Sequence, residues 1–298
     1  DPAVQRELIS DLQRARARNL VLLQPSLLAL LDSAADPNAL ALSISSKGGE
    51  FDMARLGGPV WFRMAGSYTT EAGGTVDHYA QLSFGSHLQL GPDAILGMMA
   101  TLDTLRQTQA KGAAEGKGWM VGPYVVARLK GTALTLEGQA LLGQTRDKVT
   151  ETGGTPQTVP GTQQMISLKA SSLIQHQGVD LRPYLRFSSV RLASKAYVTT
   201  SGVPVGAVTS DTLQGTVGLD FTALRLLEDG NRLNLRGGFG LSLTDDDAQG
   251  RSESLSLSFG MTRTLSDTWT FDADLTGNAD SRGNARTMGV SLTWSSKF

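Results

Sequence analysis

The sequence predicts an all-β transmembrane fold. Residues 58–298 read as a 12-stranded antiparallel up-and-down β-barrel of the outer-membrane type, and residues 1–57 as an N-terminal α-helix inside the pore followed by a linker. Three observations predict it. Apolar and polar residues alternate along most of the chain from Gly58 onward. Long polar connections alternate with short turns. The last strand carries apolar residues at every second position and ends in Phe298.

The helix comes first. Val4, Leu8, Leu12 and Ala15 recur at helical spacing within residues 3–24, among good helix formers. Pro25 interrupts the pattern. Ser26 can cap a second short helix over 26–34, and Asp36-Pro37-Asn38 reads as a turn. A helix of about 22 residues spans ~33 Å, close to the ~30 Å hydrocarbon core of a bilayer. Arg14, Arg16 and Arg18 crowd its polar side. Such a cluster is costly against lipid but can pair with acids in a polar pore.

Twelve strands follow, over 58–68, 76–90, 94–105, 118–130, 132–145, 163–175, 178–192, 211–224, 231–244, 252–263, 268–277 and 284–298. The clearest alternation is Leu134-Leu136-Gly138-Ala140-Leu142, Leu213 to Phe221, Leu233 to Leu243, Leu255 to Met261 and Trp269 to Leu275. One face is apolar and the other polar, so the sheet separates two unlike environments. Several segments exceed the usual five or six residues of a globular strand and suit the ~9–11 needed to cross a bilayer at ~45°.

The connections give the organisation. Links such as Gln107–Lys117, Arg146–Gly161 and Ala193–Ser210 are long and polar, whereas Gly91-Pro92-Asp93, Lys130-Gly131 and Ser266-Asp267 are short. A Greek-key sandwich has no reason to alternate in this way. A transmembrane barrel does, with short turns at one rim and longer loops at the other.

On the apolar-out reading, charged side chains at the opposite positions face the lumen. These are Arg128, Glu137, Lys169, Arg182 and Arg186, together with Asp220, Arg236, Asp272 and Asp274. They form a mixed-charge lining, and its acids are the expected partners of the helix arginines.

Composition excludes several classes. Lys and Arg number 27 against 28 Asp and Glu, a formal net charge of −1, so no basic field draws nucleic acid. Without cysteine there is no disulfide, thiol nucleophile or cysteine metal ligand. No run of about 18 apolar residues exists to form a transmembrane helix. Asp1-Pro2-Ala3-Val4 lacks the basic and apolar regions of a signal peptide, so an exported protein is expected to have further chain upstream. No catalytic residue, metal site or cofactor is expected. His78, His87 and His176 lack a serine two residues on, where a barrel phospholipase would carry its nucleophile, and Asp245-Asp246-Asp247 reads as a solvated loop.

A resemblance adds to this reading. Pro59 to Arg63, Gly118-Trp119-Met120-Val121-Gly122-Pro123-Tyr124-Val125-Val126-Ala127-Arg128, Leu181 to Leu185 and the last strand, in that order behind a helix, resemble the translocator domain of type V autotransporters. Val290, Leu292, Trp294 and Phe298 likewise resemble the C-terminal assembly signal of bacterial outer-membrane proteins, with Ser296 departing from it. The resemblance implies a monomer in the bacterial outer membrane, embedded in lipid and lipopolysaccharide, with the C-terminus in the periplasm. It also implies barrel assembly machinery and periplasmic chaperones as partners, and export of the protein's own N-terminal passenger to the cell surface. One subgroup cleaves the helix between two asparagines; here Asn19 precedes Leu20, which does not support self-cleavage. The rival readings are a passive outer-membrane porin with an accessory helix and a soluble β-sandwich.

Overall fold

A computed structural model describes residues 1–25, 27–34, 41–47, 50–56, 60–70, 74–226, 232–247, 250–264, 269–280 and 286–296, with side chains described over parts of 1–31 and 60–261. Two helices open the chain, α1 (Pro2–Leu22) and α2 (Leu27–Ala34). The Asp1 carboxylate accepts from the Ala3 N–H at 2.8 Å and Pro2 occupies the first turn, where its missing N–H costs nothing. Leu23 to Pro25 then break the helix before α2.

The strands are β1 (Ala41–Lys47), β2 (Glu50–Leu56), β3 (Val60–Thr70), β4 (Val76–Gly91), β5 (Ala94–Gln109), β6 (Gly112–Arg128), β7 (Leu134–Glu151) and β8 (Gln157–Ser172). They continue with β9 (Ile174–His176), β10 (Val179–Ser194), β11 (Tyr197–Val198), β12 (Pro204–Val205), β13 (Val208–Leu226), β14 (Arg232–Asp246), β15 (Gly250–Thr264), β16 (Trp269–Asp280) and β17 (Arg286–Ser296). All long strands pair with their chain neighbours in one antiparallel sheet; β9 adds to β10, and β11 and β12 form a separate hairpin. The sheet curls until β17 lies beside β1. Among the described residues no hydrogen-bonded ladder joins those two strands, so the barrel is only partly closed.

The twelve segments expected from alternation correspond to β3 to β8, β10 and β13 to β17. The sheet also holds β1 and β2, in a stretch expected to be linker. At seven residues each they are shorter than a bilayer crossing requires, so the length criterion passed over them. The Asp36-Pro37-Asn38 turn lies outside the described residues.

Two expected loops are strand instead. β5 and β6 run to Gln109 and from Gly112, and β7 and β8 to Glu151 and from Gln157. At 15 to 19 residues, most strands from β4 to β15 outrun the ~9–11 that a bilayer needs. Above the lipid zone the outward positions become polar, as at Thr104, Arg106, Glu115, Lys117, Arg146 and Lys148. The apolar alternation fades there while the ladder continues.

Outward positions in the band itself are exposed and apolar. Examples are Leu96, Met98, Leu102, Trp119, Leu136, Leu142, Val217 and Phe259. The inner face is of two kinds. Beside the helices, β3 to β8 point Trp61, Ile95, Met99, Met120, Tyr124, Val126, Leu141 and Met165 inward to form a dry core with Leu20, Leu27, Leu30 and Leu31. Further round the wall, β13 to β15 present Thr216, Asp220, Ser242, Ser256 and Ser258.

Candidate functional site

The distinctive interior feature is α1 itself, which runs through the curled sheet. Near its start Glu7 pairs with Lys111, and the Tyr197 hydroxyl donates to Gln5 Oε1 at 2.6 Å. The Asp1 nitrogen lies 2.8 Å from the Glu151 carboxylate. Lys111, the end of β7 at Glu151 and the β11 residue Tyr197 all lie at the long-loop rim. At the other end Arg63 donates to the Leu23 carbonyl, and the Leu28 N–H at the start of α2 donates to Glu137 Oε2 at 2.9 Å. A carboxylate at a helix N-terminus meets free N–H groups and the positive end of the dipole. Over its 21 residues α1 covers about 32 Å.

A helix largely enclosed by a sheet keeps little solvent face, here Ala3, Arg6, Glu7, Arg18 and Leu22. Accordingly Gln5, Leu8, Ile9, Leu12, Gln13, Ala15, Arg16, Ala17, Asn19, Leu20 and Val21 are all buried. Leu8 and Ile9 meet Val149 and Val159, and Leu12 and Ala15 meet Ala65, Tyr79, Leu105 and Ala114. Polar positions find polar partners: Ser67 donates to Asn19 Oδ1, and Asn19 Nδ2 donates to the Ala15 carbonyl at 2.8 Å.

The centre of the contact is Arg16, which is 0% exposed. Its Nε donates to Asp103 Oδ1 at 2.9 Å, and its Nη1 lies 2.9 Å from Asp147 Oδ1. Gln163 Nε2 donates to the second Asp103 oxygen at 3.1 Å. Room for this group comes from two inward glycines of β6. A Cβ on Gly116 would sit 2.0 Å from Arg16 Nη2, and one on Gly118 would sit 2.3 Å from Asp103 Oδ2. Arg18 is paired separately, its Nη2 2.8 Å from Asp77 Oδ2, whereas Arg14 pairs with Asp11 one turn back on the helix.

The arginines and the acids singled out from the sequence therefore divide. Arg16 and Arg18 are held by lumenal acids, but by Asp77, Asp103 and Asp147 rather than those expected. Glu137 receives the α2 N-terminus, and its Oε1 lies 3.4 Å from Lys169 Nζ, which in turn sits 5.1 Å over the Tyr184 ring. Arg182 faces Asp220 across the β10–β13 ladder, Arg186 lies between Lys169 and Thr216, and Arg236 lies between Thr222 and Gly260. Arg128 closes the β6 inner face opposite Thr135. Asp272 and Asp274 lie two apart on β16, opposite Thr293 and Ser291 of β17; their side chains lie outside the described residues. Val290, Leu292 and Trp294 alternate along β17, and Phe298 lies outside the described residues.

The missed residues had weak signals. Asp103 lies near the end of a segment several of whose inward positions, Ile95, Met99 and Leu105, are apolar because they face the plug. Asp147 fell in a presumed loop. Beyond the lipid zone, burial and secondarily the charge of Glu151 push the Tyr197 phenol up from its ordinary value. Among the described residues no cluster of His, Asp and Glu is arranged to hold a metal ion.

Comparison with known proteins follows this geometry. Residues 60–242 match the family described as autotransporter β-domain. The translocator domain of the autotransporter NalP from Neisseria meningitidis aligns over 97% of this chain and 99% of its own, at 14% identity and a TM-score of 0.65. The β-domain of the Bordetella autotransporter BrkA aligns over 80% of this chain and 99% of its own, at 17% identity and a TM-score of 0.61. No curated protein matches the chain.

Proposed function

The chain belongs to the autotransporter β-domain family, and from that premise we infer how its parts divide the work. A β-domain of this family is the translocator of a type V system. It resides in the bacterial outer membrane and serves the export and anchoring of an attached N-terminal passenger. In the inferred arrangement residues 58–298 are the twelve-stranded transmembrane unit, and within residues 1–57 the two helices are its pore segment and β1 and β2 an added hairpin of the sheet. The long-link rim faces outward, the passenger is displayed at the cell surface and the C-terminus stays in the periplasm.

The observation that carries this reading is the buried Arg16 between Asp103 and Asp147, with the start of α1 at the long-link rim. A chain leaving the barrel at that rim must first cross the lumen, the one route with polar groups to receive backbone and charge. The mechanism is conformational. The passenger threads outward during assembly, and α1 then occludes the lumen. Asp77, Asp103, Asp147 and Glu137 act as docking groups, while Lys169, Arg182, Arg186, Asp220, Arg236, Asp272, Asp274 and Arg128 line the remaining polar wall. Val290, Leu292, Trp294 and Phe298 serve as the signal read by barrel assembly machinery after delivery by periplasmic chaperones. The working unit is a monomer set among outer-membrane lipids. No catalytic step, cofactor or metal is part of this scheme.

Planar-bilayer conductance tests it. The intact chain should conduct poorly, and deletion of residues 1–34 should raise conductance several-fold while heat-modifiable gel mobility persists. A parent chain that conducts as well as the deletion variant would favour the passive porin.

A further inference from the structure

The outward face carries a second constellation, at the rim above the apolar band. β6 and β7 place Lys117 and Arg146 directly opposite each other in the ladder, both outward and exposed. Like charges in that relation are destabilising unless another group neutralises them. Three other cations at this rim are neutralised. Arg106 Nε lies 3.2 Å from Glu115, Arg191 Nε 3.6 Å from Asp211, and Arg251 Nε 3.6 Å from Asp245. Among the described residues neither Lys117 nor Arg146 has an ion pair or a side-chain hydrogen bond. Lys148, two residues beyond Arg146 on the same face, stands opposite Glu115, whose carboxylate already engages Arg106.

Below the two cations the outer wall is indented. A groove of about 830 Å³ is lined by Leu82, Leu102, Trp119 and Pro160 as well as by Lys117 and Arg146. The register orders its depth. Leu82, Leu102 and Trp119 lie on one row of paired residues, and Thr104, Lys117, Arg146 and Pro160 on the next row outward. An apolar trough capped by two unneutralised cations, with an aromatic ring on the row below them, fits an amphiphile with an anionic head. Guanidinium and ammonium groups suit a phosphate in particular, and basic pockets at this depth of a membrane protein hold lipid headgroups.

We propose that Lys117 and Arg146 bind a phosphate of an outer-leaflet phosphoglycolipid of the lipid A class, with an acyl chain in the groove beside Trp119. The proposal rests on the outward orientation of the long-link rim given above. Its site lies on the outer wall, apart from the pore and its plug.

Native mass spectrometry of the full chain in detergent, with added bis-phosphorylated lipid A, tests it. One lipid A should be retained by the parent chain and by Arg191→Gln. Retention should fall at least tenfold in the Lys117→Gln/Arg146→Gln pair and persist in Lys117→Arg. Equal retention by the double variant overturns the proposal. So does equal retention of dephosphorylated lipid A or of phosphatidylglycerol, the latter because any lipid phosphate would then do. Heat-modifiable mobility in lipid A–phosphatidylethanolamine vesicles separates two failures. A parent chain that does not insert overturns the membrane reading and this proposal together. One that inserts yet retains no lipid A overturns this proposal alone.

Discussion

At the scale of single residues, Arg16 shows what it takes to bury a guanidinium. A buried ion loses its hydration, and only close, well-placed partners offset that loss. Here two carboxylates flank it, and the niche exists because positions 116 and 118 have no side chain. Replacing Arg16 with Ala strands two buried carboxylates and should weaken docking of α1 by about 3–5 kcal/mol, the usual cost of breaking a buried pair from one side. Gly116→Ala should act in the same direction, because its Cβ would overlap the guanidinium, whereas Gly215→Ala meets nothing within 4 Å. Bilayer conductance is the readout: increased for the first two, unchanged for the third. A second glycine pairing sits lower, where a Cβ on Gly97 would lie 2.5 Å from the Tyr124 ring. Tyr124 also accepts from Trp61 Nε1 at 2.8 Å and lies 2.9 Å from His87 Nδ1, so its ring is fixed between strands.

At the scale of elements, each strand answers to two solvents. Arg substituted at Leu136 or Val217, both outward and exposed, should block stable insertion, since an arginine at mid-bilayer costs ~2–4 kcal/mol. The same change at Ser256, an inward position on the polar wall, should be tolerated. Equal heat-modifiable mobility for the two sets would refute the assignment of faces. Removing Phe298, or changing Trp294 and Phe298 together to Ser, should slow assembly in cells more than it lowers the unfolding temperature of barrels already formed. Pulse-chase measurement of the heat-modifiable form distinguishes the two effects.

The same duality explains which elements were legible. β7 and β13 to β16 gave clean alternation. Most of those positions set lipid on one side against polar groups on the other. β5 and β6 were blurred because Ile95, Met99, Met120 and Val126 point inward at the plug, so both faces are apolar. Above the bilayer the outward positions become polar while the inward ones are mixed, and the strand ends read as loops. The arginine cluster of α1 and its need for acidic partners were visible in the sequence. The particular acids were not, because they lie where the alternation fails.

At the scale of the whole molecule, the plug and the wall stabilise each other. The dry cluster of Leu20, Leu27, Leu30 and Leu31 with Trp61, Ile95, Met120 and Val126 is a globular core enclosed within a membrane protein. Deleting residues 1–34 therefore removes part of the barrel's interior packing as well as its stopper. Its effect should appear as a lower unfolding temperature alongside the higher conductance. The polar wall of β13 to β15 contributes little to that core. A loosened structure should open first there, and amide exchange in β13 to β15 should rise before exchange in β5 to β7.

The placement of Arg16 in the second half of α1 also decides how the domain bears tension. A force applied at Asp1 along the helix axis does not unzip the sheet strand by strand. It passes through the Arg16 side chain into Asp103 on β5 and Asp147 on β7, two long strands tied together by the β6 ladder between them. The component of the load along these strands shears their ladders across the hydrogen bonds, many of which must yield together. Seen this way, the buried arginine is a tether point. It joins the helix to two long strands, and rupture there is governed by the rate of a concerted break rather than by the peeling of an edge.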